Sequence, residues 1–574
     1  MDHSRSSRRW TSGSHASPFI FTIIFLFASS SNSKKAPYTT FAKDATQAKA
    51  KTTYDYIVVG GGTSGCALAA TLSQGAKVLL LERGDLPYGI PSVTTINGFL
   101  DTLANLGPTS ASQTFVSTDG VVNQRARVLG GGSALNAGFF TRSSRDFVNK
   151  AGWDSKLVKE SYEWVEKKVV FKPKVLAWQA AVKEGLLEAG VVPDNGFSYE
   201  HIYGTKVGGS IFDRNGKRHT AADLLEYADP SNITVHLNAT VQQILFKTNE
   251  LSARGVLYQD MKGKTHVAIL NEGSILNEVI VSAGTLGSPQ LLMLSGIGPS
   301  KHLMGHGIKV LLDQPMVGQG LSDNPMNIIL VPSRQPVEIS LIEVVGITRF
   351  GSFIESASAH INLPLLHKLG SKFGLFANQT TSIGKIKSLI RQRFNLDLSG
   401  LNVGLILEKV MGPLSFGDLE LVTKNPNDNP KVTFNYFQHP RDLQSCVEGL
   451  ETIVKVLESK PLSKFRDPLL SVRDLLALMV ALPLNLRPRH VNAPFNLEQF
   501  CKDTVMTIWH YHGGCQVDRV VDRNYKVMGV GALRVIDSST LLNSPGTNPQ
   551  ATMMMLGRYM GIKMLGERVA IPKK

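Results

Sequence analysis

An α/β fold is what the sequence predicts, and three observations carry that expectation. An apolar, β-branched run turns through clustered glycines into a helix-forming segment, then into a second apolar run ending on an acid. Further along, Thr240-Val-Gln-Gln-Ile-Leu-Phe246 alternates as a strand does. The 574 residues, 43% hydrophobic and 19% charged, suffice for two or more globular domains at about 100–200 residues each.

From the N-terminus, the first element is a targeting signal. Arg5, Arg8 and Arg9 precede an apolar stretch from Pro18 to Ala28, then Ser29, Ser30 and Ser31. Charged, apolar and small residues in that order make a secretory signal peptide. The apolar part is far short of the ~20 residues that span a bilayer, so no transmembrane span is expected. An organelle transit peptide is the alternative, although its apolar residues would be spread along an amphipathic pattern. Residues 1–31 are therefore read as a cleaved signal of a secreted protein. Residues 32–53, small, polar and Lys-rich, are read as a flexible linker.

The glycine cluster follows. Tyr54-Asp-Tyr-Ile-Val-Val leads through Gly60, Gly62 and Gly65 into Ala67-Leu-Ala-Ala-Thr-Leu, and Lys77-Val-Leu-Leu-Leu ends at Glu82. This is the strand, glycine turn, helix, strand and acid order of a dinucleotide fold. Gly60 serves the tight turn, Gly62 the approach of backbone to a pyrophosphate, and Gly65 the packing of helix on strand. The helix N-terminus offers unpaired N–H groups to phosphates. Glu82 is placed to accept hydrogen bonds from ribose hydroxyls. Alone, this motif does not separate FAD from NAD.

Two further segments do. Arg127-Val-Leu-Gly-Gly-Gly-Ser-Ala-Leu-Asn136 resembles the first signature of the glucose–methanol–choline (GMC) oxidoreductases, a family of FAD enzymes. Gly284-Thr-Leu-Gly-Ser-Pro-Gln-Leu-Leu-Met-Leu-Ser-Gly-Ile-Gly298 resembles the second along its whole length. The successive glycines Gly130 to Gly132 let backbone lie against a flat ring or phosphate without Cβ interference. The resemblance runs from Tyr54 to the C-terminus and implies non-covalently bound FAD. It also implies an FAD-binding Rossmann-like domain in pieces, 54–140, 206–325 and 503–574. An α+β substrate-binding domain on an antiparallel sheet would come from 141–205 and 326–502. Positions matching the family's FAD contacts are Thr63, Ser64, Arg83, Val128, Ser133, Asn136, Ala137, Gly138 and Val241. Trp509, Asp537, Ser538, Pro549 and Gln550 complete that set, with Leu533-Arg-Val-Ile-Asp-Ser538 as a strand closing over the flavin.

The chemistry concentrates in Trp509-His510-Tyr511-His512-Gly-Gly-Cys515. By its spacing to Cys515, His510 falls at the family's catalytic histidine. Oxidising an alcohol sends a hydride to the flavin N5 and the hydroxyl proton to a base, and an imidazole is the natural base near neutral pH. The family's second polar residue is here Asn548, within Ser544-Pro-Gly-Thr-Asn-Pro-Gln550. Its amide can donate to the substrate oxygen but cannot act as a base. His512 is the alternative base if the register is displaced by two. Ile508 and Trp509 are expected in the substrate pocket. His236, His302 and His306 are read as surface or core residues. With no H-E-x-x-H and no paired C-x-x-C, no metal site is expected.

The His510-Tyr-His-Gly-Gly and Met553-Met-Met-Leu-Gly-Arg-Tyr-Met-Gly561 stretches resemble plant members of the family. These divide into FAD-containing hydroxynitrile (mandelonitrile) lyases and HOTHEAD-like proteins implicated in oxidising ω-hydroxy fatty acids. Against the lyases stand Asn548 in place of a second histidine, Ile508 in place of a pocket tyrosine, and no cysteine between Cys66 and Cys446. Oxidation of a primary alcohol is the expected function, with a long-chain ω-hydroxy fatty acid as the substrate the resemblance suggests and an unspecified electron acceptor as partner. The lyase is the alternative, and a flavin scaffold that binds without turnover is a third, disfavoured by retention of His510 and Asn548. Leu475-Leu-Ala-Leu-Met-Val-Ala-Leu482 could line a lipid-sized pocket, or be a buried helix.

Four cysteines remain to be placed. Cys66 lies in the glycine loop and Cys515 beside the histidines, so elimination leaves Cys446–Cys501 as the candidate disulfide, with four buried thiols as the alternative. Sequons at Asn232, Asn238 and Asn378 are compatible with glycosylation. The net charge of +15 reads as a solvated basic surface. Without a basic run interleaved with aromatics, nucleic acid is not an expected partner.

Overall fold

Strand Tyr56–Val59 is buried at all four positions, as a strand covered on both faces must be. It lies within a six-stranded parallel sheet ordered 42–44, 233–237, 78–81, 56–59, 278–281, 533–535. Val59 is level with Leu81 on one side and Val281 on the other. Gly60, Glu82 and Ser282 therefore emerge side by side at the carboxyl ends, where open α/β sheets bind their ligands. Helices Thr63–Leu72 and Gln550–Ala570 pack against one another beside this sheet. The computed structural model describes residues 37–105, 107, 110–333, 335–361, 401–546 and 548–570.

The second layer is a seven-stranded sheet ordered 506–507, 325–333, 401–410, 352–361, 344–347, 204–207, 194–197, antiparallel except for its last pair. Helices Ala177–Glu188, Pro440–Glu458 and Val472–Ala481 cover one face. One apolar core continues through both layers. Leu475, Leu476, Leu478 and Met479 belong to that core, so this helix is a buried one.

Several expected boundaries shift. Residues 37–53 are not a free linker, because Ala42–Asp44 is the edge strand of the parallel sheet and Lys51–Tyr54 pairs with Thr265–Leu270. Both are short and half-exposed, which is why their composition reads as linker. Strand Gly204–Val207 crosses the expected boundary at 205, and Met506–Thr507 joins the antiparallel sheet rather than the parallel one. Helix Ser155–Val169, expected in the substrate part, packs on Gln550–Ala570.

Cys446 is bridged to Cys501, while Cys66 and Cys515 are buried and free. No helix among the described residues is long and apolar enough to cross a membrane. The Asn232 amide nitrogen donates to Ser73 and Asp229, and that of Asn238 to Asp44. A sugar on Asn232 would cost it one of these two bonds, because the glycosidic link replaces one amide hydrogen. Asn378 and the expected signal at 1–31 lie outside the described residues.

Candidate active site

One cavity runs along the carboxyl ends of the parallel strands and under the antiparallel sheet. Gly60, Gly62, Thr63, Ser64, Glu82, Arg83, Val128, Asn136, Ala137, Gly138 and Val241 line its first part. Its far end is lined by Ile508, Trp509, His510, Asn548, Pro549 and Gln550, and Asp537 and Ser538 line the cavity too. Two expected contacts sit off the wall. A Cβ at Gly65 would fall 2.0 Å from the Gly60 carbonyl oxygen, so this glycine seats the helix, as its packing role requires. Ser133 is buried, donating to the Gly130 carbonyl and accepting from the Ala221 N–H, so it shapes the triple-glycine loop instead of lining the cavity.

The first part of the cavity fits FAD. No side chain caps helix Thr63–Leu72, which leaves its first N–H groups available to phosphate. Gly131, at φ +58°, brings the triple-glycine loop so close that a Cβ there would lie 2.7 Å from the Gly62 Cα. The two glycine loops thus pack backbone to backbone, and no side chain intrudes between them. Glu82 is buried, accepting from the Gly61 N–H at 2.9 Å and the Gly84 N–H at 2.8 Å. Burial pushes its carboxyl up, opposed by those amides and Arg83. Asp537 holds the loop ends together, accepting from the Gly284 and Ser539 N–H groups.

At the far end the chain is fixed tightly around the histidine. Asp323 accepts from the His510 N–H at 2.8 Å and from the Tyr436 and Thr507 hydroxyls at 2.7 Å each. Its burial pushes it up to about 6. Trp509 lies at φ +60°, a left-handed conformation unfavourable for a bulky side chain, held in part by its N–H donating to Thr507. That turn sets Trp509 and His510 on the cavity. The His510 imidazole is buried, with no partner for its Nδ1 among the described residues. Burial above all, then the charges of Lys409 and His512, hold it well below the usual histidine range, hence neutral. His512 lies off the cavity, its Nδ1 on the His510 carbonyl and its backbone bridged to Ser322.

Asn548 forms part of the wall of the same cavity, followed by Pro549 and by Gln550, which starts the last helix. Gln550 donates to the Phe139 carbonyl and accepts from Asn136, tying this wall to the triple-glycine segment. The Asn548 side-chain amide oxygen Oδ1 accepts from Lys409 at 2.9 Å, and Lys409 also meets Glu355 at 2.6 Å. Asp323, Lys409 and Glu355 were not singled out by the sequence. The available signal was charge inside a largely apolar strand, as at Glu408 and Lys409 in Leu401–Val410.

Comparison with known proteins agrees with these features. Two profiles, both described as GMC oxidoreductase, match residues 54–326 and 413–557. The chain is 49% identical over 568 residues to Protein HOTHEAD of Arabidopsis thaliana, covering 96% of this chain and 93% of that protein. It is 47% identical to an (R)-mandelonitrile lyase-like protein of the same plant, covering 92% and 93%. It is 41% identical to Sinalpyl alcohol oxidase Nec3 of Nesocodon mauritianus, covering 90% and 89%. With the glycine cradle and cavity in place, the chain belongs to the GMC family and is an FAD-binding oxidoreductase.

Proposed function

We propose that the protein oxidises a primary alcohol to its aldehyde, with His510 as base and Asn548 as the donor that positions the alcohol oxygen. One observation carries this reading: a buried imidazole and an amide share one cavity with the flavin cradle. FAD, when bound, supplies the hydride acceptor. His510 takes the hydroxyl proton, and being neutral it is ready to do so at physiological pH. Asn548 has no basic function, so its part is to donate and orient. Trp509 and Ile508 shield the reacting end from water.

A relative named as an alcohol oxidase supports the reaction class. A relative named as mandelonitrile lyase-like supports the second reading, cleavage of a cyanohydrin without net redox chemistry. Asn548 and Ile508 weigh against it, because both remove polar groups expected of that pocket. A long-chain ω-hydroxy acid is one substrate to try, and the electron acceptor is a partner to be identified. The N-terminal charge and apolar order, with the Cys446–Cys501 bridge, supports secretion. The test is anaerobic. The yellow holoenzyme should bleach with a primary alcohol such as benzyl alcohol or an ω-hydroxy fatty acid. Cyanide release from mandelonitrile with no bleaching by any alcohol would reverse the choice.

A further inference from the structure

Behind the cavity wall lies a buried charge pair that the proposed oxidation leaves without a task. Lys409 and Glu355 are each 1% exposed. They sit on neighbouring antiparallel strands, with Lys409 directly opposite Phe353 and Glu355 two residues further along. Two residues along a strand is the same face, so the diagonal pair meets. The Lys409 ammonium also stands 4.2 Å from the centre of the Phe353 ring. Glu408, the next residue, points to the other face, where it accepts from Ser352.

Burying a cation this fully is costly, and one carboxylate already offsets its charge. The third contact, Asn548, is the informative one. An ammonium can only donate, so the amide atom facing it must be the oxygen, whichever way an amide would otherwise be assigned. With its oxygen engaged behind the wall, Asn548 keeps its two N–H hydrogens for the cavity that it lines. The cation also polarises that amide, which strengthens the donor in a low-dielectric site.

We propose that Lys409, held by Glu355, is a positioning residue that fixes Asn548 with its N–H groups toward the substrate oxygen. The role rests on the alcohol-oxidation reading for its substrate, but the hydrogen bond itself needs only an oxygen ligand in the cavity. The same cation stands near His510 and helps keep it neutral. A purely structural pair would have neither connection.

A cycle of variants separates the two cases. Lys409→Met with Glu355→Gln removes both charges, so neither is left buried alone. It is compared with Asn548→Ala and with all three substitutions together, each checked for a native melting profile and bound flavin. The readouts are benzaldehyde binding, seen as a change in oxidised flavin absorbance, and anaerobic bleaching by benzyl alcohol. The charge-pair variant and Asn548→Ala should each weaken both readouts roughly 10- to 100-fold. In benzaldehyde binding the triple variant should be no worse than Asn548→Ala alone, because there the pair acts through that amide. Lys409→Gln with Glu355→Gln retains an N–H donor and should recover part of the loss. Native behaviour of the Lys409→Met, Glu355→Gln protein, or binding losses that multiply in the triple variant, would overturn the proposal. If native enzyme binds benzaldehyde but no alcohol bleaches it, the oxidation reading fails and the binding cycle still decides Lys409. If benzaldehyde leaves the native spectrum unchanged, Asn548 is no oxygen-binding donor and the proposal falls.

Discussion

At the scale of single residues, the two histidines of the 510–512 segment occupy different places. The sequence leaves two histidines as candidates, and only His510 lines the cavity, while His512 braces the turn from behind. His510→Ala should slow anaerobic bleaching by roughly 10²–10⁴-fold with the flavin still bound, since the residue acts on the proton. His512→Ala should lower the melting temperature more than the bleaching rate. The pH dependence follows from the direction of the shift. A base works only unprotonated, and burial, with Lys409 and His512, holds His510 well below the ordinary 6.5. The bleaching rate should therefore stay level through neutral pH and fall only at pH values well below 6.5. An acid limb centred at or above 6.5 would show that another group limits the reaction. Asn548 was legible because a local motif carries it. Lys409 was not, because its contact with Asn548 spans 139 residues and depends on strand register.

At the scale of elements, the glycine loops were readable because backbone approach leaves a mark on the sequence: where a Cβ cannot fit, glycine must stand. Gly131→Val tests that reading. Its Cβ would meet the Gly62 backbone at 2.7 Å, from a φ of +58° that β-branched residues avoid. Neither obstacle is a flexible side-chain tip. The variant should purify folded but largely colourless, with flavin recovered only at high added FAD, as absorbance on reconstitution would measure. A fully yellow variant would mean that the two loops need not touch. Edge strands leave no such mark. Ala42–Asp44 and Lys51–Tyr54 alternate poorly, are half-exposed, and owe their strand form to neighbours far along the chain. The Cys446–Cys501 bridge sits between these cases. Elimination singles out the pair, but only geometry brings helices Pro440–Glu458 and Leu497–Thr504 together.

At the scale of the whole molecule, the chain leaves its first sheet after Val281 and returns to it at residue 533, and one buried arginine secures that return. Arg534 lies opposite Ile280, so its same-face diagonal neighbour is Glu278, which it meets while only 1% exposed. It reaches on to Glu567 of the last helix at 2.7 Å. Lys409 shows the same device: a buried cation, a diagonal glutamate on the adjacent strand, and a third partner from the C-terminal segment. Here the consequence concerns stability. Burial pushes Glu278 up, and Arg534 is the largest influence opposing it. Arg534→Met strands that carboxylate, and breaking a buried pair on one side costs about 3–5 kcal/mol. Removing both groups, as Arg534→Met with Glu278→Met, leaves no uncompensated charge and should restore much of the loss. Glu567→Gln should matter little, because that side chain is 32% exposed and water can replace its partner. Denaturant unfolding followed by both far-UV signal and flavin release would measure all three. Because strand 533–535 leads directly into Asp537 and Ser538 on the cavity wall, both signals should move together in Arg534→Met. Flavin release well before loss of secondary structure would show that the sheet edge frays alone, and that Arg534 secures only the site.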